Sequence, residues 1–188
     1  ADLGFKETSV EPVVSSPDDL FSLSEADLPA IYDAYDRLAD EMVARIGSDK
    51  DFRFFHYVID FNRGPCIIKR VSGCGAGTEY LAVTPQGDIY PCHQFVGNED
   101  FKMGNVMTGE FERLTHVNFA DAHVEAKEDC QTCWAKYYCS GGCHANAYNF
   151  NKTIDKPYQL GCKMEQKRIE NAIYLQAMRQ VGGNLQFE

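Results

Sequence analysis

Apolar residues recur at steps of three and four from Leu28 to Ile46: Leu28, Ile31, Tyr32, Tyr35, Leu38, Ala39, Met42, Val43 and Ile46. That spacing predicts an α-helix with one buried face. Ser24 with Asp27 three residues on predicts a capping box, or Asp27 as the cap itself with Pro29 in the first turn, and Gly47 predicts the stop. Ahead of the helix, Ser9-Val10-Glu11-Pro12-Val13-Val14 predicts a short strand that Ser15-Ser16-Pro17-Asp18-Asp19 closes with turn chemistry. A single strand and a long helix cannot bury both faces of either, so this stretch is expected to be the end of an α/β unit that begins upstream, and the chain a fragment. Asp18, Asp19, Glu25, Asp27, Asp33 and Asp36 are expected on a solvated helix face and its cap.

From Cys66 onward the pattern shortens and Gly and Pro punctuate it. Tyr80–Thr84, the turn Pro85-Gln86-Gly87 and Asp88–Tyr90 predict a β-hairpin. A weaker helix is expected from Phe111 to about Lys127. Gly161-Cys162 opens a last helix, with Met164, Ile169, Ala172, Ile173, Leu175 and Ala177 as an imperfect apolar stripe before Gly182-Gly183. The fold class is α+β, with a division expected between residues 1–62 and 63–188.

Composition narrows the partners. The chain has 188 residues, 44% of them hydrophobic, enough for a real core. Twenty-eight acidic residues against eighteen basic give a formal charge of −10, which repels nucleic-acid backbones and anionic lipid and argues against both as partners. No run approaches the roughly 18 apolar residues of a membrane helix. The first residues have no signal-peptide layout, so the expected location is the cytoplasm.

All eight cysteines lie between residues 66 and 162. Disulfides fit poorly, because nothing indicates export and close C-x2-C pairs are weak staples. Structural zinc often uses two C-x2-C knuckles, and only Cys130–Cys133 has that spacing. Iron–sulfur clusters remain: one thiolate per iron makes eight cysteines enough for two [4Fe-4S] clusters. Cys130-x2-Cys133-x5-Cys139-x3-Cys143 gathers four sulfurs, with Ser140-Gly141-Gly142 letting the backbone turn and its N–H groups approach sulfur. Cys74-x12-Gly87-x4-Cys92 spans the hairpin and brings two distant cysteines to one end of it. Cys162 opens a helix, where the dipole favours a thiolate.

The order C-x12-G-x4-C, a gap, C-x2-C-x5-C-x3-C, a gap, then C resembles the seven-cysteine SPASM domain of radical S-adenosylmethionine enzymes that modify peptides and proteins. Gly64-Pro65-Cys66, Ser72-Gly73-Cys74-Gly75-Ala76-Gly77 and Tyr90-Pro91-Cys92-His93-Gln94-Phe95-Val96-Gly97 are similar to the thioether-forming maturases of six-cysteine (SCIFF) peptides. The first 60 residues resemble the last strand and helix of the partial (β/α)6 barrel in that family. The resemblance implies that Cys130, Cys133, Cys139 and Cys162 hold an outer auxiliary [4Fe-4S] cluster, and that Cys143 crosses over to join Cys74, Cys92 and Cys66 on an inner one. Seven residues separate Cys66 from Cys74, a longer spacer than in sulfatase maturases, and the alternative is an inner cluster with one iron open to a substrate thiolate.

The resemblance further implies a third [4Fe-4S] cluster that binds S-adenosylmethionine on a C-x3-C-x2-C loop. No such run exists in these residues, so the chain by itself is not expected to cleave S-adenosylmethionine. In an intact enzyme a 5′-deoxyadenosyl radical would take hydrogen from a cysteine-containing precursor peptide. The inner auxiliary cluster would bind or orient a peptide cysteine, or accept the electron released when a sulfur-to-α-carbon bond forms. The implied electron partner is a ferredoxin or flavodoxin.

His93 follows Cys92 where sulfatase-maturase relatives carry an acidic proton acceptor, which makes it the candidate catalytic residue; a structural histidine packed by the cluster loop is the plainer reading, as for His144 beside Cys143. Trp134, Tyr137, Tyr138, Tyr148 and Phe150 are expected to shield the second cluster loop, and Glu11 to lie at a solvated strand end. The rival functions are formylglycine formation of the sulfatase-maturase kind, a two-cluster electron-transfer module and a zinc-bound peptide-recognition module.

Overall fold

The computed structural model describes residues 2–59, 61 and 71–184. Cys66, Gly64-Pro65 and the expected division at 62/63 lie outside them. The chain forms two compact units, one of Ala1–Val13, Leu23–Gly64 and Gln159–Glu188, the other of Val14–Ser22 and Pro65–Tyr158. These units do not coincide with a single cut of the sequence, because the last helix belongs to the first of them.

The first unit is built on a parallel strand pair, β1 (Glu7–Thr8) and β2 (Arg53–Phe54), with Glu7 opposite Arg53 and Thr8 opposite Phe54. Parallel strands need a crossover, and helix α1 (Leu28–Ala44) supplies it. The helix starts as its sequence predicts: the Asp27 carboxylate accepts the Ser24 backbone N–H at 2.8 Å and the Ser24 hydroxyl at 2.9 Å. These bonds hold the Asp27 carboxyl below the usual carboxylate range. The expected strand over residues 9–14 is not formed. Pro12 has no N–H to give a ladder, Val10 and Val13 are exposed, and the pairing falls two residues earlier, at Glu7–Thr8.

Helix α5 (Gln159–Asn184) completes the unit. It continues through Gly182-Gly183 rather than stopping there, at a cost of about 1 kcal/mol per glycine. Ala172 and Leu175 from α5, Ala39 and Met42 from α1, and Phe52, Phe54 and Tyr57 form one buried cluster; Ile173, placed in the stripe by the sequence, is exposed. The Tyr57 hydroxyl donates to the Tyr35 carbonyl at 2.9 Å and accepts from the buried Asn171 amide at 3.3 Å.

Burial pushes the Tyr57 hydroxyl from 10.0 up to about 12. The folded state then holds this proton more tightly than the unfolded one, so the contribution is complete below about pH 10 and is lost as pH rises toward 12. Tyr57→Phe is expected to flatten that alkaline limb and to cost about 1–3 kcal/mol at neutral pH, because Asn171 and the Tyr35 carbonyl lose a partner. Denaturant titrations across a pH series read both effects.

The second unit carries an antiparallel meander, β3 (Ala82–Val83), β4 (Asp88–Tyr90), β5 (Gly104–Asn105) and β6 (Glu110–Phe111). The β3–β4 hairpin is the expected one, with Ala82 opposite Tyr90. Its turn is closed by Gly87 N–H to the Thr84 carbonyl at 2.9 Å, with Pro85 presetting the bend. The helix expected from Phe111 to Lys127 is replaced by β6 and irregular turns. Glu112 N–H bonds the Met103 carbonyl, and Asn118 accepts Ala120 N–H while donating to Asp121, local bonds that compete with a helix. The apolar residues of this stretch instead serve a loop core: Phe119 and Ala122 are buried with Ala76, Tyr90, Cys92, Phe95, Phe101, Ala145 and Ile154. Phe95 and Phe101 stack at 4.2 Å, and Tyr148 meets Phe101 edge-on at 4.7 Å.

Candidate metal centre

Three loops of the second unit converge. The Cys74 loop turns through Gly73 and Gly75, both at φ +72°. Gly77 N–H donates to the Pro91 carbonyl at 2.9 Å, which ties this loop to the residue beside Cys92 at the end of β4. A methyl group on Gly73 would lie 2.9 Å from the Ser140 carbonyl, so the same loop abuts the turn between Cys139 and Cys143. That close approach is available to glycine alone.

Cys92 is buried, and the backbone N–H groups of Gln94 and Phe95 in the following turn, His93–Phe95, bond to it. Burial pushes the Cys92 thiol up. Those N–H groups pull it down, while charge on Cys143 and on Cys74 pushes it further up. Cys74 and Cys143 therefore each stand within electrostatic reach of Cys92. Cys74 and Cys143 are exposed.

The remaining described cysteines of this unit follow helical turns. Cys130 lies in α2 (Glu128–Gln131), Cys133 follows with its N–H on the Cys130 carbonyl at 3.1 Å, and Cys139 ends α3 (Lys136–Cys139). Ser140, Gly141 and Gly142 then take positive φ of 60°, 88° and 73°, and Cys143 caps α4 (His144–Asn151). Three successive left-handed residues reverse the chain within one loop. Burial pushes the Cys130 thiol up, with Cys133 and Asp129 adding to it; Lys127 and Lys136 pull it down.

No two of the described cysteines are joined by a disulfide. Among the described residues, no three His, Cys, Asp or Glu side chains converge on a point where a single metal ion would sit. A cubane cluster spreads its thiolates over four irons and does not need such convergence. Thiols on glycine-rich turns, with backbone N–H groups aimed at sulfur, are the donor set that a cluster takes. Cys162 lies in the first turn of α5, in the first unit.

His93 is held at both ring nitrogens, Nδ1 3.0 Å from the Tyr80 hydroxyl and Nε2 3.1 Å from the Gln94 amide nitrogen. His144 is buried, and burial with the nearby Lys127 charge takes it down to about 4, so it is neutral at ordinary pH. Phe119 packs edge-on against it. The expected aromatic shield is not formed: Trp134, Tyr137 and Tyr138 are 53, 41 and 37% exposed, Tyr148 belongs to the loop core, and Phe150 stacks on Tyr158. Tyr137 and Tyr138 lie on the single turn of α3. In the first unit Glu11 lies 2.7 Å from His56 Nε2, out of line for a good hydrogen bond. Sequence reasoning missed Tyr80 and Gln94 as partners of His93, and it missed Lys127, because lysine is seldom buried and no pattern flags the exception.

Residues 74–134 match the family model SPASM, an iron–sulfur cluster-binding domain. The chain is 29% identical over 122 residues to an uncharacterized protein of Archaeoglobus fulgidus, covering 63% of this chain and 29% of that protein. It is 30% identical over 114 residues to the antilisterial bacteriocin subtilosin biosynthesis protein AlbA of Bacillus subtilis, covering 57% of this chain and 24% of that one. It thus spans less than a third of the length of either relative. No helix among the described residues is long and apolar enough to cross a membrane.

Proposed function

We propose that this SPASM-bearing chain is the auxiliary-cluster part of a radical S-adenosylmethionine enzyme that modifies a ribosomally made precursor peptide by joining a cysteine sulfur to an α-carbon. The observation that carries the reading is that Cys74 and Cys143, on two other loops, both lie within electrostatic reach of Cys92 in the SPASM-matched region. The relative named for subtilosin biosynthesis supports a peptide substrate. Cys74, Cys92 and Cys143 would hold an inner [4Fe-4S] cluster, and Cys130, Cys133 and Cys139 an outer one. Cys66 and Cys162 are carried over as further ligands from the family resemblance alone.

When bound, the clusters supply a site for a substrate thiolate and an acceptor for one electron. The chain's own residues set the surroundings. Gln94 and Phe95 N–H groups stabilise thiolate at Cys92. His93, bonded to Tyr80 and Gln94, would take the thiol proton of a peptide cysteine; an α-hydrogen given to a 5′-deoxyadenosyl radical and one electron given to a bound cluster would complete the balance.

The test is anaerobic turnover of the intact enzyme with S-adenosylmethionine, a reductant and a cysteine-containing precursor peptide. The expected products are 5′-deoxyadenosine and a peptide lighter by two hydrogens, with the cysteine blocked to alkylation. His93→Gln is expected to slow this about 10²-fold or more with iron content unchanged, the range for a lost general base. A peptide aldehyde in place of the thioether would instead mark formylglycine-type chemistry.

A further inference from the structure

Lys127 is among the largest fully buried side chains described, at 1% exposure. It stands three residues before Cys130, and its Nζ donates to the Gly141 carbonyl at 3.0 Å. Gly141 lies in the left-handed turn between Cys139 and Cys143, and a methyl group there would come within 3.6 Å of Nζ. A positive group is thus buried against the turn between Cys139 and Cys143. Its charge is felt at Cys130 on one side and at His144 on the other.

A cubane bound by thiolates is anionic, and each one-electron reduction adds a further negative charge without moving a proton. A fixed positive charge nearby favours the reduced form, and low local dielectric strengthens the effect. The bond to Gly141 also ties the ligand-bearing loop to the start of α2.

We propose that Lys127 sets the reduction potential of the cluster held by Cys130, Cys133 and Cys139, raising it through a buried positive charge while its hydrogen bond to Gly141 fixes the ligand loop. This rests on the reading of those cysteines as cluster ligands. Lys127 touches no substrate and is a positioning and charge-bearing residue.

The experiment is a mediated redox titration of the intact, iron-loaded protein followed by electron paramagnetic resonance, with iron and sulfide counted in each sample. Lys127→Met is expected to lower the reduced-to-oxidised ratio of one cluster at least tenfold at a fixed potential, 59 mV for a one-electron couple, and to leave the other cluster in place. Lys127→Arg, which keeps the charge, is expected to retain iron and the wild-type potential. Full iron with an unmoved potential in Lys127→Met overturns the proposal. If Lys127→Met sheds iron, Lys127→Arg decides: wild-type iron and potential uphold the charge argument, and loss of either overturns it. Wild-type protein that binds no iron overturns the cluster reading itself.

Discussion

Replacing Cys92 by Ala is expected to strip about four of roughly eight irons from the anaerobically prepared protein, by the arithmetic of one thiolate per iron in two cubanes. Cys92 is 7% exposed and sits where the β3–β4 hairpin delivers it to Cys74 and Cys143, with two backbone N–H groups on its sulfur. Water cannot readily replace a ligand in so enclosed a position. Cys130, Cys133 and Cys139 are assigned to a different cluster and are expected to keep it. Iron and sulfide analysis together with the low-temperature resonance spectrum reads the outcome. Unchanged iron would contradict the assignment of Cys92, and loss of all iron would contradict the division into two independent sets.

Gly104→Ala is expected to produce the largest loss of stability from a single methyl group. Gly104 has φ +138° in β5, and an added Cβ would lie 2.2 Å from the Glu110 carbonyl oxygen and 2.9 Å from the Phe111 Cα, all backbone of the adjacent strand β6. Neither strand can yield without breaking the pairing of Gly104 with Phe111. Backbone strain and overpacking each contribute about 1–3 kcal/mol, so a total on the order of 3 kcal/mol or more is expected in denaturant unfolding. Because β4 pairs with β5 and leads into Cys92, iron binding is expected to fall too. Gly109→Ala is the control: φ is +76° but the space around it is open, so only the left-handed penalty of about 1–2 kcal/mol applies.

What the sequence revealed depended on how local each signal is. The capping box at Ser24 and Asp27, helix α1 and the β3–β4 hairpin are specified by residues within a few positions of one another, and they form where their patterns say. The strands at Glu7–Thr8 and Arg53–Phe54 escaped notice because each pairs for only two residues, too few for alternation to register. Residues 111–127 carry only a weak apolar pattern, and Asn118 and Asp121 bond locally and hold an irregular path instead of a helix. The cysteine spacing across the hairpin brings Cys74 and Cys92 to one end of it, while Cys143 joins them only through the family resemblance. The buried Lys127 could not be read that way, because its enclosure depends on the Gly141 carbonyl, fourteen residues further on.

The central claim is that these cysteines hold two iron–sulfur cubanes, and metal and sulfide analysis of protein prepared without oxygen tests it most directly. The account predicts a brown protein with about eight irons and eight acid-labile sulfides per chain, one thiolate to each iron. A colourless protein that carries zinc and no sulfide would contradict it.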